Sequence, residues 1–447
     1  MKQLHAGFSR VDITPMLGSR VSGYFIERRA EGVLDNLEVN TIAVGAGEDK
    51  AVLMSMDLCE VREEYATQIR EAICKKTGLP MAAVYLHSNH THTGPEISED
   101  PTEPLECQYF AFLKTRMVDA AQMALDDLQP ARMGWAVGHA PNISFIRRYI
   151  MQDGSVKTNP GVNNPDIVAP IGKVDDDVAV VRLDREKDTI VLVNFANHPD
   201  CVGGNFFSAD WLGFARKRVE KALDDTKCAV FNGAQGDVNH VNVKPEGGDL
   251  NDMFMDFDDV SRGYGHARHM GNVIAGAVLQ VYDKVKYIPV DSVRCLNRVV
   301  NAPSNMPAPE EMEEAYCIDK MHREGRDAEL PYKGMMLTTM VAAAARKIRL
   351  EHGPESFPLT VSGVAIGNVA LVGFPGEPFN GIGVGLKTAP DWELIMPTCI
   401  TNGAAGYFPM QDSYDEGGYE AGDSSFRAGV AELLIEEGKK LLADLRK

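Results

Sequence analysis

The sequence predicts an α/β protein in which layered mixed β-sheets are flanked by helices. Short apolar, β-branched runs alternate with longer amphipathic stretches along the chain, the pattern of helices packed on sheets. Apolar residues make up 44% and charged residues 24%, with 41 Gly and 24 Pro, which excludes a disordered, collagen-like or disulfide-scaffold chain. No internal repeat or low-complexity tract interrupts the alternation, and 447 residues allow up to three domains or one large α/β unit.

Taken in order, the runs at residues 41–44, 51–56 and 83–87 are short and apolar enough for strands. Residues 63–75 and 108–128 are long enough for helices, and the second carries Phe110, Leu113, Met117, Ala120, Ala121 and Ala124 at the three-to-four spacing of an apolar stripe. Strands follow at 178–183, 189–195 and 229–231, with helices at 211–223, 265–285 and 309–324. Strands at 360–366, 369–374 and 393–396 and a helix at 425–445 complete the chain. Three stretches depart from this rhythm. Residues 142–177, rich in Asn, Pro, Gly and Asp, read as a long loop overhanging a site. Residues 244–259, with Glu246, Asp249, Asp252, Asp256, Asp258 and Asp259, lack the order of an EF-hand and read as a solvated acidic loop. Met306, Met312, Met321, Met335, Met336 and Met340 fall within 305–350, where helix core is the first reading and a pocket cover the second.

Forty-five Lys and Arg against 64 Asp and Glu give a net charge of −19, which argues against nucleic acid or an anionic membrane as partner. A small-molecule substrate is expected, and homo-oligomerisation stays open. The eight cysteines are scattered singly with no CxxC, the usage of reduced thiols in a reducing compartment. The first ten residues lack the apolar region of a secretory signal, and no 18-residue apolar run occurs, so a cytoplasmic protein without stable membrane association is expected.

Chemistry concentrates just beyond apolar strands. Asn89-His90-Thr91-His92-Thr93-Gly94-Pro95 follows the first group of strands, and on an extended chain His90 and His92 would share one side. Alone, that spacing suits loop histidines bonded to backbone better than a metal. His198 follows the 189–195 run, Asn232-Gly233-Ala234-Gln235-Gly236-Asp237-Val238-Asn239-His240 follows 229–231, and Pro375-Gly376-Glu377-Pro378 follows 369–374. Open α/β sheets place their binding crevice at such carboxyl ends. Two or three histidines and Glu377 meeting there, with one position left open, have the composition of a catalytic zinc centre. The same donors also suit Fe²⁺ or Mn²⁺. Tyr407, Tyr414 and Tyr419 crowd a glycine-rich C-terminal stretch, where a tyrosine near a metal can ligate it or donate a proton.

In this order the motifs resemble those of the neutral/alkaline (non-lysosomal) ceramidase family. The stretch around His90 and His92 is similar to the family's THTHSGP signature, residues 233–239 to its GDVSPN segment, and Pro375-Gly376-Glu377 to its PGE turn. Tyr407, Tyr414 and Tyr419 match its spaced tyrosines, Tyr419-Glu420 its YEG, and Asn142-Ile143-Ser144-Phe145-Ile146-Arg147 its NASxNR stretch. The resemblance implies zinc held by His90, His198, Glu377 and Tyr407. It also implies His92 and Tyr419 beside the reacting centre, with Arg147 touching substrate. It further implies a single catalytic domain over 1–447, here expected without the C-terminal immunoglobulin-like domain of the family's ceramidases. Asn239 stands where the family has serine, so that hydroxyl is not available and a metal-activated water is the expected nucleophile.

The expected activity is therefore zinc-dependent hydrolysis of an amide (N-acyl) bond. A metal-dependent hydrolase of an ester or glycosidic linkage in a soluble small molecule is the first alternative. A catalytically inactive binding homologue is the second.

Overall fold

The computed structural model describes residues 3–245, 254–255 and 261–447. The six acidic residues of the 244–259 stretch lie outside the described residues.

Three mixed sheets carry the fold. In the first, the order is Val84–Ser88, Asp49–Met56, Glu38–Ala46, Leu4–Asp12 and Gln129–Pro130; in the second, Thr226–Asn232, Thr189–Phe195, Asp177–Asp184, Arg132–His139 and Lys286–Ile288. The third runs Val293–Pro303, Ser356–Ile366, Val369–Gly373 and Leu394–Thr398. Each sheet ends on one parallel pair while its other pairings are antiparallel.

The alternation of side chains along a strand divides the core. Ile190 and Leu192 face the first sheet, whereas Val191, Val193 and Phe195 face helices Asp210–Ala222 and Tyr264–Val281. Val369 and Leu371 likewise join the central core, while Ala370 and Val372 pack beneath Asn380–Lys387 and Val430–Leu445. Helices Glu63–Thr77 and Pro104–Asp126 cover the opposite side of the first sheet. Helices thus lie outside two layers of sheet, as the sequence predicts. Strands buried on both faces explain why these runs are continuously apolar.

Some elements exceed the sequence reading. Leu4–Asp12, Arg132–His139 and Val293–Pro303 are strands, and Met335–Leu350 is a helix of its own. Arg132–His139 reads poorly because Gly134 and Gly138 sit where a Cβ would fall 2.8 Å from Val285 and 2.6 Å from the Ala277 carbonyl. The 142–177 stretch is not a plain loop. It builds a small sheet from Arg148–Met151, Val156–Thr158 and Ile167–Pro170, with Asn142, Asn159 and Asn163 at positive φ. The methionines divide as well: Met312 is buried and Met321 and Met340 join a helix core, whereas Met335 and Met336 line a cavity. All eight cysteines are free. Among the described residues no helix is long and apolar enough to cross a membrane.

Candidate active site

The three parallel pairs bring their carboxyl ends to one place. His90 and His92 follow Val84–Ser88, His198 follows Thr189–Phe195, and Glu377 follows Val369–Gly373. Tyr407 comes after Leu394–Thr398 and pairs in register with Glu377 in a short parallel ladder. His87, Asn232 and Cys399 lock the junction. The His87 Nδ1–H donates to the Cys399 carbonyl at 2.8 Å, and Nε2 accepts the Asn232 N–H at 2.9 Å.

Glu377 Oε2 lies 3.1 Å from His90 Nε2 and 3.6 Å from His198 Nε2. The three donor atoms of His90, His198 and Glu377 fall within 4.8 Å of one another, and all three residues are buried. The other ring nitrogens fix the tautomers: His90 Nδ1–H donates to the Cys59 carbonyl at 3.0 Å and His198 Nδ1–H to that of Gln235 at 3.4 Å. Both Nε2 atoms therefore face the carboxylate, the outer hydrogen bonding that orients metal-ligating imidazoles. Gln235 Nε2 also donates to Glu377 Oε2, at 3.3 Å.

His92 reaches the cluster by a different route from the one its spacing suggested. His90 has φ of +70°, so the chain bends left-handed after the strand instead of continuing extended. The two rings still meet, 4.9 Å apart, with Nε2 atoms at 3.3 Å. The 22–28 segment then lies on His92. At Gly23, with φ of +102°, a Cβ would fall 2.8 Å from it, and the Tyr24 ring is 5.8 Å away. Arg28 pins this cover through the carbonyls of His92 and Gly204, both at 2.7 Å, and of Ser22.

Burial alone would lower His90 and raise Glu377, but their mutual attraction outweighs it, so His90 is held well above and Glu377 well below its ordinary pKa. Burial and the neighbouring imidazoles push His92 well down. Burial, then Arg147 and His90, take His198 to about 3. His92 and His198 are thus neutral, whereas His90 holds against Glu377 a proton that it would have to give up to ligate a metal.

His92, His198, Arg147, Tyr407 and Tyr419 line one chamber of about 70 Å³. Arg147 is anchored before any ligand arrives: its Nε donates to Glu420 Oε1 at 2.6 Å and its Nη2 to the Gly236 carbonyl at 2.8 Å. Its guanidinium stands 5.5 Å from the Tyr407 ring centre and 6.0 Å from that of Tyr419. Burial raises both phenols well above 10, so each is a neutral hydrogen-bond donor at neutral pH. Tyr414 is the exception among the three tyrosines. Its hydroxyl donates to the Phe426 carbonyl at 2.6 Å, in keeping with a structural part. Asn239 is buried and donates to Asn159 Oδ1 at 3.2 Å. The sequence reading missed Asp200, which also lines the chamber, and the anchoring role of Glu420. Its one signal for Asp200 was a place two residues past His198.

This mixed-sheet α/β arrangement is a neutral ceramidase-like fold. Over 100% of its length the chain matches the neutral ceramidase from Pseudomonas aeruginosa, with a TM-score of 0.72, 17% identity and 75% of that chain covered. It matches a structure described as ceramidase complexed with C2 with a TM-score of 0.73, 16% identity and 76% of that chain covered. No protein-family model and no curated protein matches the sequence.

Proposed function

We propose that this protein is a metal-dependent hydrolase of amide (N-acyl) bonds in a small-molecule substrate, working as one catalytic unit across the chain. The observation that carries the reading is the buried trio of donors from His90, His198 and Glu377, opening on a chamber lined by His92, Arg147 and Tyr419. Oriented imidazole nitrogens and a carboxylate fit zinc, with Tyr407 as the further ligand. Bound zinc supplies Lewis acidity and lowers the pKa of water to about 7.

The chain's own groups do the rest. His92, neutral and buried, takes the proton from the attacking water and returns it to the departing amine. The Tyr419 phenol donates a hydrogen bond to the carbonyl oxygen as it turns negative, an effect of about 3–4 kcal/mol in comparable sites. Arg147, held by Glu420, presents a fixed positive charge beside that oxygen without having to reorganise. Free thiols support a reducing, cytoplasmic setting.

Elemental analysis of active protein, with chelation and zinc readdition against a panel of N-acyl amines, acyl esters and glycosides, tests the reading. Amide cleavage that vanishes with the metal and returns with it is expected. Turnover that survives complete metal removal rejects the proposal, and turnover confined to esters or glycosides changes the bond.

A further inference from the structure

Asn159 and Met335 line the catalytic chamber and also a second cavity of about 630 Å³. One side of that cavity comes from residues 156–161 and the other from 331–339, which lead into helix Met335–Leu350. The chamber of about 70 Å³ is small beside the neighbouring space, and the two shared lining residues put that larger space next to it, where the remainder of a bound substrate could extend.

The charge of that space runs against the rest of the molecule. The sequence has 64 acidic and 45 basic residues, yet among the described residues the lining includes Lys157 and Lys333 and no Asp or Glu. Lys157 is half-buried and Lys333 exposed. Asp153, whose ionised form Lys157 favours, lies outside the cavity and is engaged by the Ser155 N–H at 2.9 Å and hydroxyl at 2.6 Å. Tyr332, Met335 and Met336 supply apolar and aromatic surface between the charges. A pocket adjoining the proposed reaction site, with two cations and no carboxylate among its described lining residues, suits an anion carried on a partly apolar body.

We propose that this cavity is a substrate subsite for an anionic group, with Lys157 and Lys333 as its charge partners, so that the natural substrate is an anionic N-acyl compound. The inference deepens the amide-hydrolase reading and rests on it for the reaction, but not for binding.

Two pairs of probes test it: N-acetylmethionine against N-acetylmethioninamide, and N-acetyl-phosphoethanolamine against N-acetylethanolamine. The wild-type protein should favour the anionic member by about five- to tenfold in kcat/KM, as expected of two partly exposed ion pairs. In the Lys157→Gln/Lys333→Gln double variant that preference should be lost through KM, with kcat on the neutral members unchanged. The preference should also shrink between 50 and 500 mM salt (about 14 to 4 Å of screening length). Which pair shows the larger ratio distinguishes a carboxylate from a phosphate. Equal turnover of both members in the wild type, or a ratio unchanged in the double variant, overturns the subsite. Should no probe be cleaved, the amide-hydrolase reading falls and calorimetry with the same probes judges the subsite. Tighter binding of the anionic members that the double variant abolishes upholds it, and equal binding of both members overturns it.

Discussion

At His87 a single imidazole joins the first sheet to Asn232 of the second and to Cys399 beside the third. Burial, the largest cause, takes its pKa down to about 4 from 6.5. Between these values the unfolded chain binds a proton that the folded protein refuses, so this stabilisation is full above pH 6.5 and is lost as pH falls towards 4. Two and a half units correspond to about 3 kcal/mol. Denaturant unfolding at pH 7 and pH 4.5 should therefore show the wild type losing about 2 kcal/mol more than His87→Gln, whose side chain does not titrate. Equal losses in the two proteins would remove His87 from the account. Tyr419→Phe is predicted to lower kcat by about 10²–10³ with folding intact, because it deletes the donor proposed for the developing charge; a kcat within a factor of three of wild type would dismiss that role. His90, His198 and Glu377 were legible in sequence because each closely follows an apolar strand. The tautomer of His87 and the anchoring of Arg147 by Glu420 were not, since their partners lie between 145 and 312 positions away.

The elements deliver these side chains through close backbone contacts that only glycine permits. A Cβ on Gly236 would lie 2.5 Å from the Glu377 carbonyl oxygen, and one on Gly376 would lie 2.4 Å from that of Gly406. The glutamate turn is thus clamped between the segments following Thr226–Asn232 and Leu394–Thr398. Gly236→Ala should destabilise the protein by about 1–3 kcal/mol, since a backbone clash forces the turn to shift, and should weaken metal retention by moving Glu377. Gly276→Ala is the control: it lies in Tyr264–Val281 with open space around its Cβ, and should stabilise that helix by up to about 1 kcal/mol. Equal metal content and unfolding midpoints in Gly236→Ala and wild type would refute the clamp. Sequence showed the strands at these junctions because they are apolar on both faces. It concealed Val293–Pro303, where Arg294, Asn297, Arg298 and Asn301 interrupt the apolar run, and the small sheet within 142–177, whose strands of three or four residues are too short to stand out as apolar runs.

At the scale of the molecule, the proposed metal ligands follow strands of three different sheets, and a buried network ties the first sheet to helix Asp210–Ala222. Arg216 of helix Asp210–Ala222 donates to both oxygens of Asp57, at 2.9 and 2.6 Å. Asp57 Oδ1 also accepts from Asn89, the residue before His90, at 2.9 Å. A cation held by His90, His198 and Glu377, as proposed, would therefore cross-link the three sheets. A ligand that binds only the native state at a thousand times its Kd adds about 4 kcal/mol. At about 2 cal/mol/K of unfolding entropy per residue, a chain of 447 residues moves about 1 °C per kcal/mol. Scanning calorimetry should show one cooperative transition whose Tm rises by about 4 °C with zinc in that excess over the chelated protein, and Glu377→Gln should abolish the rise. A metal-induced change confined to one of two separate transitions would mean that the sheets unfold independently and that the ion fastens only part of the fold. A wild-type Tm indifferent to zinc would mean that the three donors hold no ion at all, however closely the chain has brought them together.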